Sequence, residues 1–258
     1  MWQPTPPLNS FATFTFFPNV KPFALLTSTQ FLPPPPPVLT SAHYAQDLNE
    51  TKELGSLTSV TRTADQTLMS RVFAGAASPI GFFHVWNIVA GTVAQQEGLS
   101  LVDTARMFVL VNVGLHDGVQ TSFTSKFTYG LWRPVTAIRR ADEDLNPATL
   151  ADPSWTPLLN TPTYPSYAGN AACISAASAR ALELALGRAD VPFSVTWPLS
   201  AGGTLTRAFT GFWDLFEQAA RSRINGGIHF QFDSDASRAA CAKVPEFTDA
   251  NYMLRRDR

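Results

Sequence analysis

The chain has 258 residues, of which 45% are hydrophobic and 15% charged, and its formal net charge is −1. That length and apolar content suffice for one large core or two small ones. The near-neutral balance excludes the basic footprint of a nucleic-acid binder, and no apolar run reaches the ~18 residues of a membrane span. Cys173 and Cys241 are the only cysteines, too few for a disulfide framework. Two buried thiols are the favoured reading, and a single disulfide, which needs an oxidising compartment, is the alternative. No basic segment opens the chain, and Pro4, Pro6, Pro7 and Pro18 interrupt any signal-peptide core, so the chain is expected to be intracellular or to lack its natural start. Its localisation stays unassigned.

Residues 1–39 form a proline-rich, aromatic arm ending in the run Pro33 to Pro37, which favours polyproline II and excludes helix. Many phenylalanines would be costly to expose, so the arm is expected to pack on the body, residues 40–258; its aromatic residues also raise the possibility of a homo-oligomeric contact. Ser41 or Thr40 caps a first helix to about Leu54. Thr63-Ala-Asp-Gln66 has capping-box spacing and opens a second to about Ala76. A third runs from about Ile80 to Glu97 and stops at Gly98. Ser100-Leu-Val-Asp103 caps a long apolar helix that reaches His116 or beyond. After a proline-rich stretch at 147–165, alanine-rich residues 171–186 form a helix closed by Gly187. A short strand is possible at 193–197. Residues 204–225 read as one amphipathic helix, and 234–243 as the last. The expected fold class is an all-α helical bundle with long functional loops.

Two segments carry chemistry. In Lys126-Phe-Thr-Tyr-Gly-Leu-Trp-Arg133-Pro134, the two cations share a face if the segment is helical. Pro134 disfavours helix at Arg133, placing the arginine at a helix–loop junction. The pair reads either as solvated surface charges or as cations aimed into a cleft. In Ser222-Arg223-Ile-Asn-Gly-Gly-Ile-His229-Phe-Gln-Phe-Asp233, the glycine pair permits a sharp turn that presents His229. Asp233, four residues on, can accept the Nδ1 proton and leave Nε2 as nucleophile or ligand. The plainer alternative is a packed loop histidine, with Asp233 capping the next helix.

Together, K-x6-R-P followed by S-R-x5-H-x3-D resembles the vanadium-dependent haloperoxidase and type-2 phosphatidic acid phosphatase superfamily. The surrounding TADQT, GLWRPVTAIRRADEDLNP and ARSRINGGIHF are similar to its bacterial haloperoxidase-like branch, and the likeness covers most of residues 20–245. Members of that family usually carry further helices before such a start. The resemblance implies a helical bundle of the haloperoxidase/acid phosphatase type. It implies that Lys126, Arg133 and Arg223 bind the oxygens of vanadate, that His229 is its apical ligand, and that phosphate can occupy the same site. Arginine suits this as a bidentate fork and lysine as a point charge. The substrates implied are halide and hydrogen peroxide, or a phosphomonoester attacked by His229.

The chain departs from the family's P-S-G-H block. At the matching place the chain has Tyr164-Pro-Ser-Tyr-Ala-Gly-Asn170, so Gly169 aligns with the glycine, Ala168 with the serine, and Asn170 with the general acid–base histidine. Gly169 at a helix N-terminus still suits an anion. Asn170 cannot titrate, and a positioned general acid typically supplies ~10²–10⁴-fold. His116, beside Asp117, is the candidate substitute, its plainer reading being a helix-end histidine. His84 is expected in the core or an interface, and His43 on the surface. Three functions follow: a vanadate-dependent haloperoxidase, a phosphomonoesterase, or an oxyanion-binding domain impaired in catalysis.

Overall fold

A computed structural model of the chain describes residues 1–253. Its helices are α1 (Ala42–Leu54), α2 (Ala64–Phe73), α3 (Phe82–Gln96), α4 (Leu101–Tyr129), α5 (Pro134–Arg139), α6 (Asn170–Leu186), α7 (Phe212–Asn225), α8 (Gln231–Cys241) and α9 (Lys243–Tyr252). The local signals act as expected at several ends. Ser41 and Ser100 accept first-turn amides, and Thr63 and Gln66 form both halves of a capping box. Gly130 and Gly187 close α4 and α6 in the left-handed conformation, at φ 58° and 74°, which costs glycine little. No helix among the described residues is long and apolar enough to cross a membrane.

The fold is a helical bundle organised on α4, whose main partner is α6. Small residues allow the close approach: a Cβ added at Gly118 would lie 3.3 Å from Ala177 Cβ. The main core gathers Phe73, Trp86, Val89, Met107, Leu110, Val111, Leu182, Trp197 and Phe212 from α2, α3, α4, α6, the hairpin and α7. At ~25 cal/mol per Å² of apolar surface removed from water, such a cluster supplies the main driving force for folding.

Four expectations need correction. Residues 204–225 are not one helix: Phe193–Pro198 and Thr204–Phe209 pair as an antiparallel hairpin, β1 and β2, and α7 begins after Gly211. β1 alternates buried and exposed side chains, placing Phe193, Val195 and Trp197 in the core. This two-residue period outweighs the helical reading. The C-terminal region holds two helices, α8 and α9, rather than one. Cys173 and Cys241 form a disulfide joining α6 to α8, so they are not free thiols. His84 is exposed on α3 rather than in the core, whereas His43 is exposed as expected.

The proline-rich arm lies along the body and is held chiefly through its backbone. The buried carboxylate of Asp117 accepts the amides of Phe23, Ala24 and Leu25 at 2.9, 2.8 and 3.0 Å. Tyr129 and Tyr167 donate their hydroxyls to the carbonyls of Pro33 and Pro34. A polyproline stretch lacks backbone donors and exposes its carbonyls, so donation from the body is its natural mode of attachment. Phe11, Phe16 and Phe23 nevertheless remain exposed.

Candidate oxyanion site

Lys126 occupies the last turn of α4, and Arg133 is the N-cap of α5. The chain breaks at Gly130 between them, so they converge through the turn rather than along one helical face. Both are fully buried, which rules out the surface-cation reading. Lys126 Nζ donates to the carbonyls of Pro165 and Ser166 at 3.0 and 2.6 Å. Arg133 donates from Nε to Tyr164 O at 2.7 Å and from Nη1 to Ile228 O at 2.8 Å. The Tyr164 ring faces both cations, 5.3 Å from Lys126 Nζ and 4.9 Å from Arg133 Cζ.

Arg223 closes α7, and the turn at Gly226-Gly227 delivers His229. Gly227 is left-handed at φ 74°, and a Cβ there would lie 2.4 Å from Gly55 O. Thr51 of α1 donates to His229 O at 3.2 Å, and Asp47 accepts the Phe232 amide at 2.7 Å, so α1 braces the loop. His229 Nδ1 lies 2.7 Å from Asp233 Oδ2, and Arg133 Nη1 lies 3.1 Å from His229 Nε2. A guanidinium can only donate, so Nε2 accepts and the ring proton resides on Nδ1. Asp233 Oδ2 accepts that Nδ1 proton. Ser166, which the sequence reading passed over, donates to the same Asp233 oxygen at 2.6 Å.

Three donors stand without acceptors in this buried place: Nη2 of Arg133, and Nε and Nη1 of Arg223. A buried polar group with no partner costs roughly 1–3 kcal/mol. These three on neighbouring guanidinium groups are donors of the kind an anion accepts from. Among the described residues, no group of three His, Cys, Asp or Glu side chains is arranged to hold a metal cation. The residues thus fit a vanadate or phosphate oxyanion rather than a bare metal ion.

The electrostatics agree. Burial, then Arg133, Lys126 and Arg223, hold the His229 imidazole well below its usual pKa, so it is neutral. Burial pushes the Asp233 carboxyl up to about 6, opposed by the Ser166 hydrogen bond and Lys126. Burial lowers Arg133 and Arg223 to about 10, and drives Lys126 well below its ordinary value. An oxyanion would offset the lowering at Lys126, Arg133, Arg223 and His229, while its own charge would favour the neutral Asp233 carboxyl.

At the N-terminus of α6, Gly169 lies against the imidazole: a Cβ there would sit 3.6 Å from His229 Cε1. Its own amide is occupied, donating to Asp233 O at 3.2 Å. The first-turn amides that follow it have no partner within the helix. Asn170 accepts a hydrogen bond from Ser122 Oγ of α4. A cavity of about 300 Å³ is lined by Arg223, His229, Asn170 and His116 on its polar side. His116 thus shares the cavity, with Nδ1 held 2.9 Å from Asp117 Oδ1. The remaining lining, chiefly Phe14, Phe17, Phe82, Phe123 and Tyr164, was not anticipated.

A family profile described as the VCPO second helical-bundle domain matches residues 106–254, more than half of the chain. No curated protein matches significantly. Among solved structures, the first bacterial vanadium-dependent iodoperoxidase superposes with a TM-score of 0.79 at 24% identity, covering 96% of this chain and 60% of that one. The apo and holo forms of a bacterial vanadium-dependent chloroperoxidase give 0.76 and 0.75 at 13% and 14% identity, each covering 93% of this chain. The chain spans 56% and 55% of the chains in those two structures. These likenesses establish the fold. With the profile match, they show that the chain belongs to the VCPO second helical-bundle domain family, within the haloperoxidase and type-2 phosphatidic acid phosphatase superfamily.

Proposed function

We propose that this chain binds vanadate and acts as a haloperoxidase-like protein that oxidises halide with hydrogen peroxide. The observation that carries the reading is the set of acceptorless guanidinium donors on Arg133 and Arg223 beside a neutral imidazole with Nε2 deprotonated. Lys126, Arg133 and Arg223 would hold the oxygens, and His229 Nε2 would be the ligand to vanadium. When bound, vanadate supplies an electrophilic centre that activates peroxide. Phosphate fits the same donors.

The protein's own part is preorganisation. Asp233 and Ser166 fix the imidazole and its tautomer, an orienting role often worth ~10–100-fold in affinity. Arg133 lies against Nε2 until a ligand displaces it, while the two carbonyls keep Lys126 in place. Asn170 can donate or accept a hydrogen bond at a bound oxygen but moves no proton. His116 is the other imidazole on the cavity and the candidate for that role. Asn170 also favours a second reading, an oxyanion-binding domain with weakened turnover. Phosphomonoester hydrolysis through His229 would use the same lone pair.

The test is equilibrium binding of vanadate and phosphate, then bromide oxidation with vanadate and peroxide, then p-nitrophenyl phosphate hydrolysis, on wild type and His229→Ala. Binding with His229-dependent bromide oxidation is the expected result. Binding without turnover selects the second reading, and hydrolysis without oxidation selects the phosphatase. Failure of the wild type to bind either oxyanion overturns all three.

A further inference from the structure

The cavity has a second character that the oxyanion chemistry does not use. Beyond the polar residues, its lining is Phe14 and Phe17 from the N-terminal arm, Phe82 and Phe83 from α3, and Leu115, Val119 and Phe123 from α4, with Ile174 from α6. Phe17 packs 5.1 Å from Phe123, and Phe14 5.2 Å from Phe123 and 6.1 Å from Tyr164. Phe82 reaches the oxyanion site directly, its ring centroid 5.1 Å from Arg223 Cζ. Phe14 adopts φ 61°, a left-handed conformation rare for a bulky residue. A strained aromatic on a cavity wall is where a functional constraint is expected.

The volume, about 300 Å³, lies at the small end of ligand pockets. Apolar rings on one side and unsatisfied guanidinium donors on the other are complementary to one kind of occupant. We propose that this cavity is an aromatic subsite, completed by Phe14 and Phe17 of the N-terminal arm, that seats a single aromatic ring beside the bound oxyanion. The proposal rests on the oxyanion reading for the ring's neighbour, and it names the substrate class of that site as small aromatic compounds. Asp117 serves it indirectly, because the arm amides of Phe23, Ala24 and Leu25 are tied to its carboxylate.

The experiment compares inorganic phosphate, methylphosphonate and phenylphosphonate by calorimetry on the full chain, as wild type, Phe17→Ala and the milder Phe17→Leu. Phenylphosphonate should bind at least ~10-fold more tightly than methylphosphonate, the increment expected from burying part of a ring. In both variants that ratio should fall several-fold, while phosphate affinity and the melting temperature of Phe17→Leu stay near wild type. Equal affinities of the two phosphonates for wild type overturn the subsite. If wild type binds phosphate and neither phosphonate, the subsite is likewise overturned. If no oxyanion binds at all, the oxyanion reading fails separately. The subsite is then read with phenol by saturation-transfer NMR: a signal that Phe17→Ala abolishes supports it, and a signal that persists, or is absent from wild type, overturns it.

Discussion

Arg223 and Phe17 line one cavity, but the chain prepares them in opposite ways. On the Arg223 side every group arrives from a helix end or a tight turn of the body: Lys126 from the end of α4, Arg133 from the start of α5, Arg223 and His229 from either side of the glycine pair. Its three cations are buried and its two guanidinium groups partly without partners, so the ligand-free state bears their desolvation cost. On the Phe17 side the groups are apolar, and two come from an arm with little regular structure. The first side is strained until an anion arrives, whereas the second is satisfied by packing alone. A site built from both separates where affinity comes from and where selectivity comes from.

The largest test of this contrast is Arg223→Met. Arg223 lacks acceptors for two of its nitrogens and stands over the Phe82 ring. Vanadate and phosphate affinity should fall by ~100-fold or more, the scale of a charge-assisted pair. The ligand-free protein should become more stable by roughly 1–3 kcal/mol, since an uncompensated buried charge is removed. Denaturant unfolding without anion reads this, and a stability loss would mean that Arg223 serves packing instead. Next comes Asn170→His, which restores a titratable group at the start of α6. Turnover, measured as bromide oxidation, should rise by ~10²-fold with oxyanion affinity little changed. An unchanged rate would place the limitation elsewhere.

A third test is acidification. His229 has a folded pKa below its unfolded value, so its contribution is present above the unfolded value near 6.5 and is lost as pH falls below that. Asp233 is shifted oppositely: its contribution is present below about 4 and is lost as pH rises through about 6. The difference between wild type and His229→Gln isolates the imidazole, with a slope of up to ~1.4 kcal/mol per pH unit. Saturating phosphate should flatten that slope by offsetting the three cations, and a slope that phosphate leaves untouched would detach His229 from the anion. The smallest effect is Ser166→Ala, which removes one donor to Asp233. It should cost ~1 kcal/mol of stability and lower vanadate affinity by a few-fold to ten-fold. Both are measurable by thermal unfolding with and without vanadate.

The contrast also governs what could be read from sequence. The body's helix starts were legible at Ser41, Thr63 and Ser100 because capping is a local hydrogen bond between residues three apart. Lys126, Arg133, Arg223, His229 and Asp233 stand out through the family resemblance of the two segments together, whereas each segment alone reads equally as surface cations or as a packed loop histidine with a capping aspartate. Ser166 escaped, since its link to Asp233 spans 67 residues and leaves no local mark. The aromatic lining escaped for the same reason: Phe17 meets Phe123 only after the arm has folded back. The strand expected at 193–197 is β1, but its partner β2 was misread as the start of a helix, although Gly202-Gly203 marked the turn between them. The disulfide was passed over in favour of two buried thiols, because a separation of 68 residues does not say whether the two cysteines meet.

That disulfide has a practical consequence. Cys173 lies one turn beyond Gly169 and Asn170 on α6, and Cys241 ends the helix that begins beside His229 and Asp233. The disulfide therefore ties the first turn of α6, beside the imidazole, to the far end of α8, the helix that carries Asp233. Without the staple, nearby polar support comes from the Gly169 amide on Asp233 O and from Ser237 Oγ on Gly169 O. Protein produced in a reducing cytosol and protein matured under oxidising conditions are thus two different preparations, and binding measured on one need not describe the other.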